Sequence, residues 1–305
     1  MGIASQPSKL SLPQQNPGVT TVLDYLAEKF PGVDALVWQQ RMIDGKVHWH
    51  DGSFITPETP FRAQQRVYYY REVEHEPAIP FTETILFQNE HLLVVHKPHF
   101  LALTPGGVFV NECLQNRLRL TTGIKSLQAL HRLDRVTAGL VLFSTNPATR
   151  HLYHQLFSQR QIEKTYHAIA NVDCDQEIIA KEWQVKNRLV QADPRFRMHV
   201  VAGEANSHSM IRGLRQYGDK ALFELKPITG KTHQLRVHMQ SIGWPILNDK
   251  YYPVLEEKSP DNFNQPLQLL AKQLRFIDPV SQKNRFFCSP ENLALEAKEN
   301  QCRLD

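Results

Sequence analysis

Apolar residues recur at Val22, Leu23, Leu26 and Phe30, close to the 3.6-residue helical period, and Pro31-Gly32 stops the run. The spacing predicts a short helix beginning after Thr21. Asp34 can cap a second helix through Leu36, Val37 and Met42, which Asp44-Gly45 ends. The period then shortens. Residues 46–50 read as a strand, Asp51-Gly52 as a hairpin-type turn and residues 66–71 as a returning strand. Thr84-Ile85-Leu86-Phe87 and Leu92-Leu93-Val94-Val95, separated by Asn89-Glu90, predict two paired strands, the second closed by Lys97-Pro98. Leu140-Val141-Leu142-Phe143 is an unbroken apolar run of strand length. Asn146 can cap a helix with Pro147 in its first turn and Leu152, Leu156 and Phe157 on its apolar face, Tyr153 beside them. Further strand-like runs span 164–170, 183–190, 221–225 and 273–277. Strands mostly follow strands, which predicts a mixed α+β domain with a largely antiparallel sheet.

The pattern also divides the chain. Residues 1–18 combine Ser, Gln and three prolines and read as a flexible tail. Residues 19–72 form a small module, and Glu72, Glu74, Glu76, Pro77 and Pro80 mark an acidic linker over 73–81. A large domain follows over 82–290, with a C-terminal tail over 291–305.

Composition adds little. A hydrophobic content of 41% with 22% charged residues is ordinary for a soluble protein of 305 residues. A formal charge of +4 permits a polyanionic partner without establishing one. Cys113, Cys174, Cys288 and Cys302 show no C-x-x-C spacing and read as free thiols in a reducing cytosol. The first fifteen residues hold no signal-like apolar stretch, and no run approaches the ~20 residues needed to span a bilayer. The expectation is a cytoplasmic protein away from membranes. Fourteen histidines invite a metal reading, but His48-x-His50, His151-x-x-His154 and His233-x4-His238 lack a third ligand at useful spacing, so no metal is expected. No nucleotide-binding signature is present, so no cofactor is implied.

Two blocks carry candidate chemistry. In His131-Arg132-Leu133-Asp134-Arg135 one carboxylate stands among basic neighbours just before the apolar run, at the edge of the predicted sheet. A lone Asp in a loop is usually a turn or cap residue. In Lys226-Pro227-Ile228-Thr229-Gly230-Lys231-Thr232-His233-Gln234-Leu235-Arg236-Val237-His238 a strand, a glycine turn and a helix bring more cations. Leu235, Met239 and Ile242 make an apolar stripe, with Arg236 turned about 100° from it, at an edge that can reach a cleft. Residues 229–232 lie where free backbone amides and Lys231 can seat a phosphate.

Together the blocks resemble the RluA-type RNA pseudouridine synthases, over roughly residues 82–280. The resemblance implies an α+β pseudouridine synthase fold and isomerisation of a specific uridine in structured RNA, ribosomal or transfer RNA. It implies Asp134 as the essential carboxylate, Arg236 as its basic partner and Tyr166 as the ring packed on the target base. Arg132, Arg135, Lys164, Lys231, Thr232 and His233 follow as RNA contacts. No obligatory protein partner is implied, and a monomer is expected. A carboxylate in a water-poor pocket needs a cation to stay ionised, and an arginine can grip both of its oxygens. Residues 19–72, with Arg41, Lys46, Arg62, Arg66 and Arg71, resemble more weakly the S4 RNA-binding module, the alternative being a cap that touches no RNA. Trp38, Trp49 and the tyrosines at 68–70 read as packing residues rather than base-stacking platforms.

The chain departs from the family's pattern in places. Lys231 stands where Arg is usual, Ala138 where Ser is frequent, Asn248-Asp249 for a common Gly-Asp, and Leu270 for a frequent His. Two rival functions remain: an inactive RNA-binding protein of the same fold, and a glycosidase that releases the base.

Overall fold

The computed structural model describes residues 2–4 and 6–295. The chain forms two compact units, the first containing residues up to Ala78 together with Pro105–Glu112, the second Ile79–Thr104 and the chain from Cys113 onward.

The first unit holds strands β1 (Gly2–Ile3) and β2 (Ser8–Ser11), helices α1 (Val22–Lys29) and α2 (Ala35–Ile43), and strands β3 (Val47–Trp49), β4 (Arg66–Tyr69) and β5 (Glu72–Val73). Thr21 and Asp24 close a reciprocal capping box on α1, and the Asp34 side chain accepts from the Leu36 amide at the start of α2. Trp38 and Met42 turn inward from α2 onto Leu26, Val47, Trp49 and Val67, whereas Leu36 and Val37, expected on its apolar face, are exposed.

The described part of residues 1–18 is not the tail that composition predicts. β2 pairs antiparallel with β4 in a three-stranded sheet of order β2-β4-β3, β1 pairs with β5, and Leu12 is buried. Glu76, in the expected linker, accepts from the amides of Val110, Asn111 and Glu112 at 2.5, 2.7 and 2.6 Å. Those partners explain why the segment 105–112 belongs with the first unit rather than the second.

The second unit is built on one sheet. Its strands are β6 (Thr84–Gln88), β7 (Leu92–Lys97), β8 (Gln128–Ala129), β9 (Ala138–Ser144), β10 (Glu163–Asn171), β11 (Glu182–Gln191), β12 (Met198–Val201), β13 (Ser207–Tyr217), β14 (Lys220–Pro227), β15 (Leu269–Ile277) and β16 (Asn284–Cys288). Helices α3 (Leu114–Thr122), α4 (Arg150–Ser158) and α5 (Gln234–Ser241) interrupt them. The main path runs β12-β11-β13-β14-β10-β15-β9-β7-β6, with β16 on β15 and β8 on β9. Every strand pair is antiparallel except β9 with β15. This is the mixed, largely antiparallel α+β architecture that the pattern predicts.

All residues of β7 and β9 are buried, which is why their sequences are apolar runs rather than alternations. Further along the sheet the period-2 rule sorts the faces: Ala168 and Ala170 of β10 join Phe223 and Leu225 of β14 under Leu235 and Met239 of α5, while Ile169 and Leu222 pack on the other side with Ala138 and Leu270. α4 begins later than expected, with Thr149 at its N-cap, and Tyr153 is its most deeply buried ring. Asn146 instead accepts from the Ala148 amide in the turn before it. Leu293 and Leu295 are buried against the Ile169 face, so the expected C-terminal tail starts no earlier than the described residues end; 296–305 and Cys302 lie outside them.

Candidate active site

Asp134 sits in the loop that enters β9, and the alternation of its neighbours places it. His131 turns inward, stacks on Phe157 at 4.9 Å and accepts the Leu142 amide at Nε2. Leu133 is buried, while Arg132 is exposed and Asp134 opens to a cleft. Burial, reinforced by Lys164, pushes the His131 ring down to about 4, which keeps Nε2 free to accept. From the other side the fully buried Lys97 donates to the carbonyls of Pro98, Leu101 and Arg135 at 2.9, 2.9 and 3.0 Å. Burial pushes Lys97 down to about 7 and the charge of Asp134 pulls the other way. Three carbonyl acceptors match the three hydrogens of an ammonium, so the geometry is that of the charged form. Gly139 begins the close approach of β9 to β15 at φ +117, where an added Cβ would lie 2.3 Å from the Ala271 carbonyl oxygen.

Arg236 is buried in α5 and lines the cleft. Its fork grips Asp249, with Nε to Oδ2 at 2.7 Å and Nη2 to Oδ1 at 2.6 Å, and its remaining nitrogen Nη1 lies 3.5 Å from Oδ2 of Asp134. The expected grip on both oxygens of Asp134 is thus corrected: the bidentate pair belongs to Asp249. Tyr251 and Tyr252 hold the guanidinium at 4.9 and 5.2 Å from their ring centres. Burial opposes the Arg236 charge, but Asp249 and then Asp134 outweigh it and raise the group above its ordinary value. Asp249 Oδ1 also accepts the amides of Tyr251 and Tyr252. The turn that delivers it passes through Asn248 at φ +64, a left-handed position that Asn tolerates better than other side chains, which accounts for Asn in place of the common Gly.

Tyr166 lines the same cleft from β10, at a register shift against β15 between Thr165 and Tyr166. Burial, followed by the nearby Asp134 charge, raises its hydroxyl well above the ordinary phenol range. Its ring packs on the face that carries Ala168 and Ala170.

The cleft has a volume of about 920 Å³. Of the residues expected to contact RNA, Arg132, Lys164, Lys231, Thr232 and His233 line it, and so do Arg160 and Lys226, which the sequence reading does not single out. Arg135 does not: its guanidinium pairs with Asp261 at 2.6 and 2.9 Å. The loop 229–232 is also less open than expected, since the Lys231 amide donates to Gln234 Oε1 at 3.0 Å and Thr229 Oγ1 donates to the same oxygen at 2.7 Å. Asp249, Tyr251, Tyr252 and Lys97 are further residues of the site that sequence reasoning misses. Only the Asn248-Asp249 departure pointed near them.

In the first unit Arg41 and Lys46 are both tied to Glu72, at 2.9 and 2.7 Å, while Arg62 and Arg66 are exposed. Among the described residues no group of three or more His, Cys, Asp or Glu side chains could hold a metal, and no helix is long and apolar enough to cross a membrane.

Comparison with known proteins identifies the family. Residues 91–241 match the family model described as RNA pseudouridylate synthase. The chain is 32% identical over 231 residues to the dual-specificity RNA pseudouridine synthase RluA of Vibrio parahaemolyticus, covering 73% of this chain and 88% of that one. It is also 32% identical over 184 residues to pseudouridylate synthase RPUSD2 of Mus musculus, across 58% of this chain and only 32% of that longer protein. Among solved structures, human RNA pseudouridylate synthase domain containing 4 superposes with a TM-score of 0.53 at 25% identity, covering 72% of this chain and 92% of its own. The chain belongs to the RluA-type branch of the RNA pseudouridylate synthase family.

Proposed function

We propose that this protein isomerises a specific uridine to pseudouridine in a structured RNA, ribosomal or transfer RNA, with Asp134 as the essential carboxylate. The observation that carries the reading is the convergence on Asp134 Oδ2 of Arg236 at 3.5 Å and His233 at 3.7 Å, in a cleft that Tyr166 also lines. The reaction breaks N1–C1′, turns the uracil within the site and joins C5 to C1′, while a proton leaves C5 and N1 gains one. Atoms balance with no co-reactant. Asp134 either attacks C1′ or takes the 2′ proton; both need an ionised carboxylate beside the sugar and a cation near it. Tyr166 offers a flat ring on which the base can pivot. Arg132, Arg160, Lys164, Lys226 and Lys231 give the cleft the positive rim that an RNA backbone requires once the target nucleotide is turned out of its stack.

The same reading takes residues 19–72 as an S4-like RNA-binding module. The exposed Arg62 and Arg66 support it; Arg41 and Lys46, held by Glu72, do not. It also takes the protein to be a cytoplasmic monomer, with Cys113, Cys174 and Cys288 as free thiols.

The test is tritium release from RNA labelled at uridine C5, with a parallel assay for free uracil. Release without free base is the expected result. Free base would make the protein a glycosidase, and tight RNA binding with neither product would make it an inactive binder. Mapping pseudouridines in a deletion strain against its parent then names the RNA.

A further inference from the structure

His233 approaches Asp134 from a left-handed backbone position at the start of α5. It stands at the N-cap of α5 at φ 52 and ψ 16, a left-handed conformation uncommon for residues other than Gly, although His adopts it more readily than most side chains. Residues at that position usually cap the helix through their side chains. His233 makes no capping bond. Its ring is turned into the cleft instead, with the side chain 9% exposed and Nε2 3.7 Å from Asp134 Oδ2.

The other ring nitrogen fixes the proton. His233 Nδ1 lies 3.0 Å from the hydroxyl of Tyr252, a residue 2% exposed. That hydroxyl oxygen already accepts the Met198 amide of β12 at 2.8 Å. Its own hydrogen needs an acceptor, because a buried donor without one is costly, and Nδ1 is the acceptor within reach among the described residues. The chain of donors therefore runs Met198 N–H to Tyr252 Oη, Tyr252 O–H to His233 Nδ1, and leaves the imidazole hydrogen on Nε2, aimed at Asp134. Burial acts first on His233 and lowers it below the ordinary histidine range, in keeping with a neutral ring that carries one proton. The 3.7 Å separation is longer than a formed hydrogen bond. Such contacts are commonly long in unliganded sites and tighten when substrate is present.

We infer that His233 is a positioning residue of the reaction, held by Tyr252 as the Nε2–H tautomer so that it donates to Asp134 Oδ2 beside Arg236 and leaves the other carboxylate oxygen to face the sugar. Tyr252 thus has two tasks on one ring: its face holds Arg236 at 5.2 Å and its hydroxyl sets the His233 tautomer. The two donors that reach Asp134 are in this way tied to one side chain. The role rests on the reading of Asp134 as the reaction's carboxylate.

Nitrogen-15 NMR of the full-length protein with labelled histidine, at a pH above 7, reads the tautomer directly and needs no substrate. The His233 signals are assigned by their loss in His233→Gln. The expected result is a protonated Nε2 and an unprotonated Nδ1 in the wild type, with the other tautomer populated in Tyr252→Phe; a protonated Nδ1 in the wild type overturns the inference. Turnover is the second measurement. His233→Leu is expected to lower kcat about tenfold or more with KM changed much less, since one cleft residue adds little to binding spread over many phosphate contacts while the alignment of Asp134 is lost. His233→Gln, whose amide can donate from near the Nε2 position, is expected to recover most of that loss. A leucine variant with wild-type kcat, or a glutamine variant as slow as the leucine one, also overturns it. Asp134→Asn assayed alongside separates the two claims: if it turns over, the reading of the site fails, whereas if it is inactive while His233→Leu is unimpaired, only the role of His233 fails.

Discussion

Arg236 and Asp249 form the tightest ion pair of the site, bidentate at 2.6 and 2.7 Å and with Asp249 side chain fully enclosed, while Asp134 receives only the third guanidinium nitrogen. The division of labour is physical. One carboxylate neutralises and orients the buried cation, and the other is left partly solvated, with 22% of its side chain exposed.

Asp249→Asn should therefore impair the enzyme without touching substrate. Removing one partner of a buried pair leaves the other charge uncompensated, at a cost of about 3 kcal/mol in stability. The freed guanidinium is then expected to lean toward Asp134 and slow turnover. Urea unfolding and tritium release together check this; an unchanged unfolding midpoint would show that Asp249 is not what holds Arg236. By the same argument Arg236→Lys is not conservative, because a lysine cannot satisfy both oxygens of Asp249 and still reach Asp134. It should nevertheless cost less than Arg236→Ala, which removes the charge as well.

Asp134→Asn is expected to abolish pseudouridine formation while RNA affinity stays within a few-fold, since affinity comes mainly from phosphate contacts and the carboxamide keeps the shape. Residual turnover above about 1% of the wild type, on the scale of the 10²-fold and larger losses usual for an essential acid or base, would remove Asp134 from the chemistry.

The residues legible in the sequence were those whose function is written locally. Asp134 stands out because His131-Arg132-Leu133-Asp134 resembles the family's motif and precedes an apolar run at the edge of the expected sheet. Arg236 stands out through the motif on its helix, but Asp249 does not, because it lies 13 residues further on, beyond the end of α5 at Ser241. Arg135 looked like a cleft cation and is tied to Asp261, 126 residues away. The first strands were hidden for the same reason: the four residues of β2 are Ser-, Lys- and Leu-containing like any tail, and only pairing with β4, more than fifty residues later, makes them a strand. β13 was missed because its alternation is filled with serines and a glycine rather than β-branched residues, its inward Ser207 and Ser209 being satisfied by long-range partners.

Two departures from the family's pattern prove to be neighbours. Ala138 and Leu270 face each other across the parallel contact of β9 with β15 and share one buried cluster, so the frequent Ser and the frequent His are replaced together by an apolar pair. Ala138→Ser alone should destabilise by about 1–3 kcal/mol, because its hydroxyl would be buried against Leu270 with no partner. Leu270→His alone should also destabilise. The double variant should cost less than the sum by about 1 kcal/mol if the two groups hydrogen-bond. Strict additivity in a denaturant double-mutant cycle would show that the two positions changed independently.

Acid should unfold the protein through its histidines before its carboxylates take over. Burial pushes His99, His131 and His238 each down to about 4. Burial is the first cause in each; Lys164 reinforces it at His131 and His208 at His238, while the bond to the Val136 carbonyl opposes it at His99. In each the folded value lies below the unfolded value of about 6.5, so as pH falls the unfolded chain takes up protons first. The stability that these neutral rings contribute is fully present above pH 6.5 and is lost between 6.5 and 4. Each proton adds about 1.4 kcal/mol per pH unit to the slope in that window. Glu72, Asp278 and Glu291, whose values are lowered in the folded state, contribute their own losses only below the ordinary carboxylate range. Urea unfolding midpoints measured from pH 7.5 to 5 therefore isolate the histidines. The expected result is a steady fall toward pH 5 that becomes shallower by one proton in His131→Gln, whose carbonyl oxygen can still accept the Leu142 amide but cannot titrate. A flat profile over that range, or an identical slope in the variant, would mean that these rings are not held neutral by the fold.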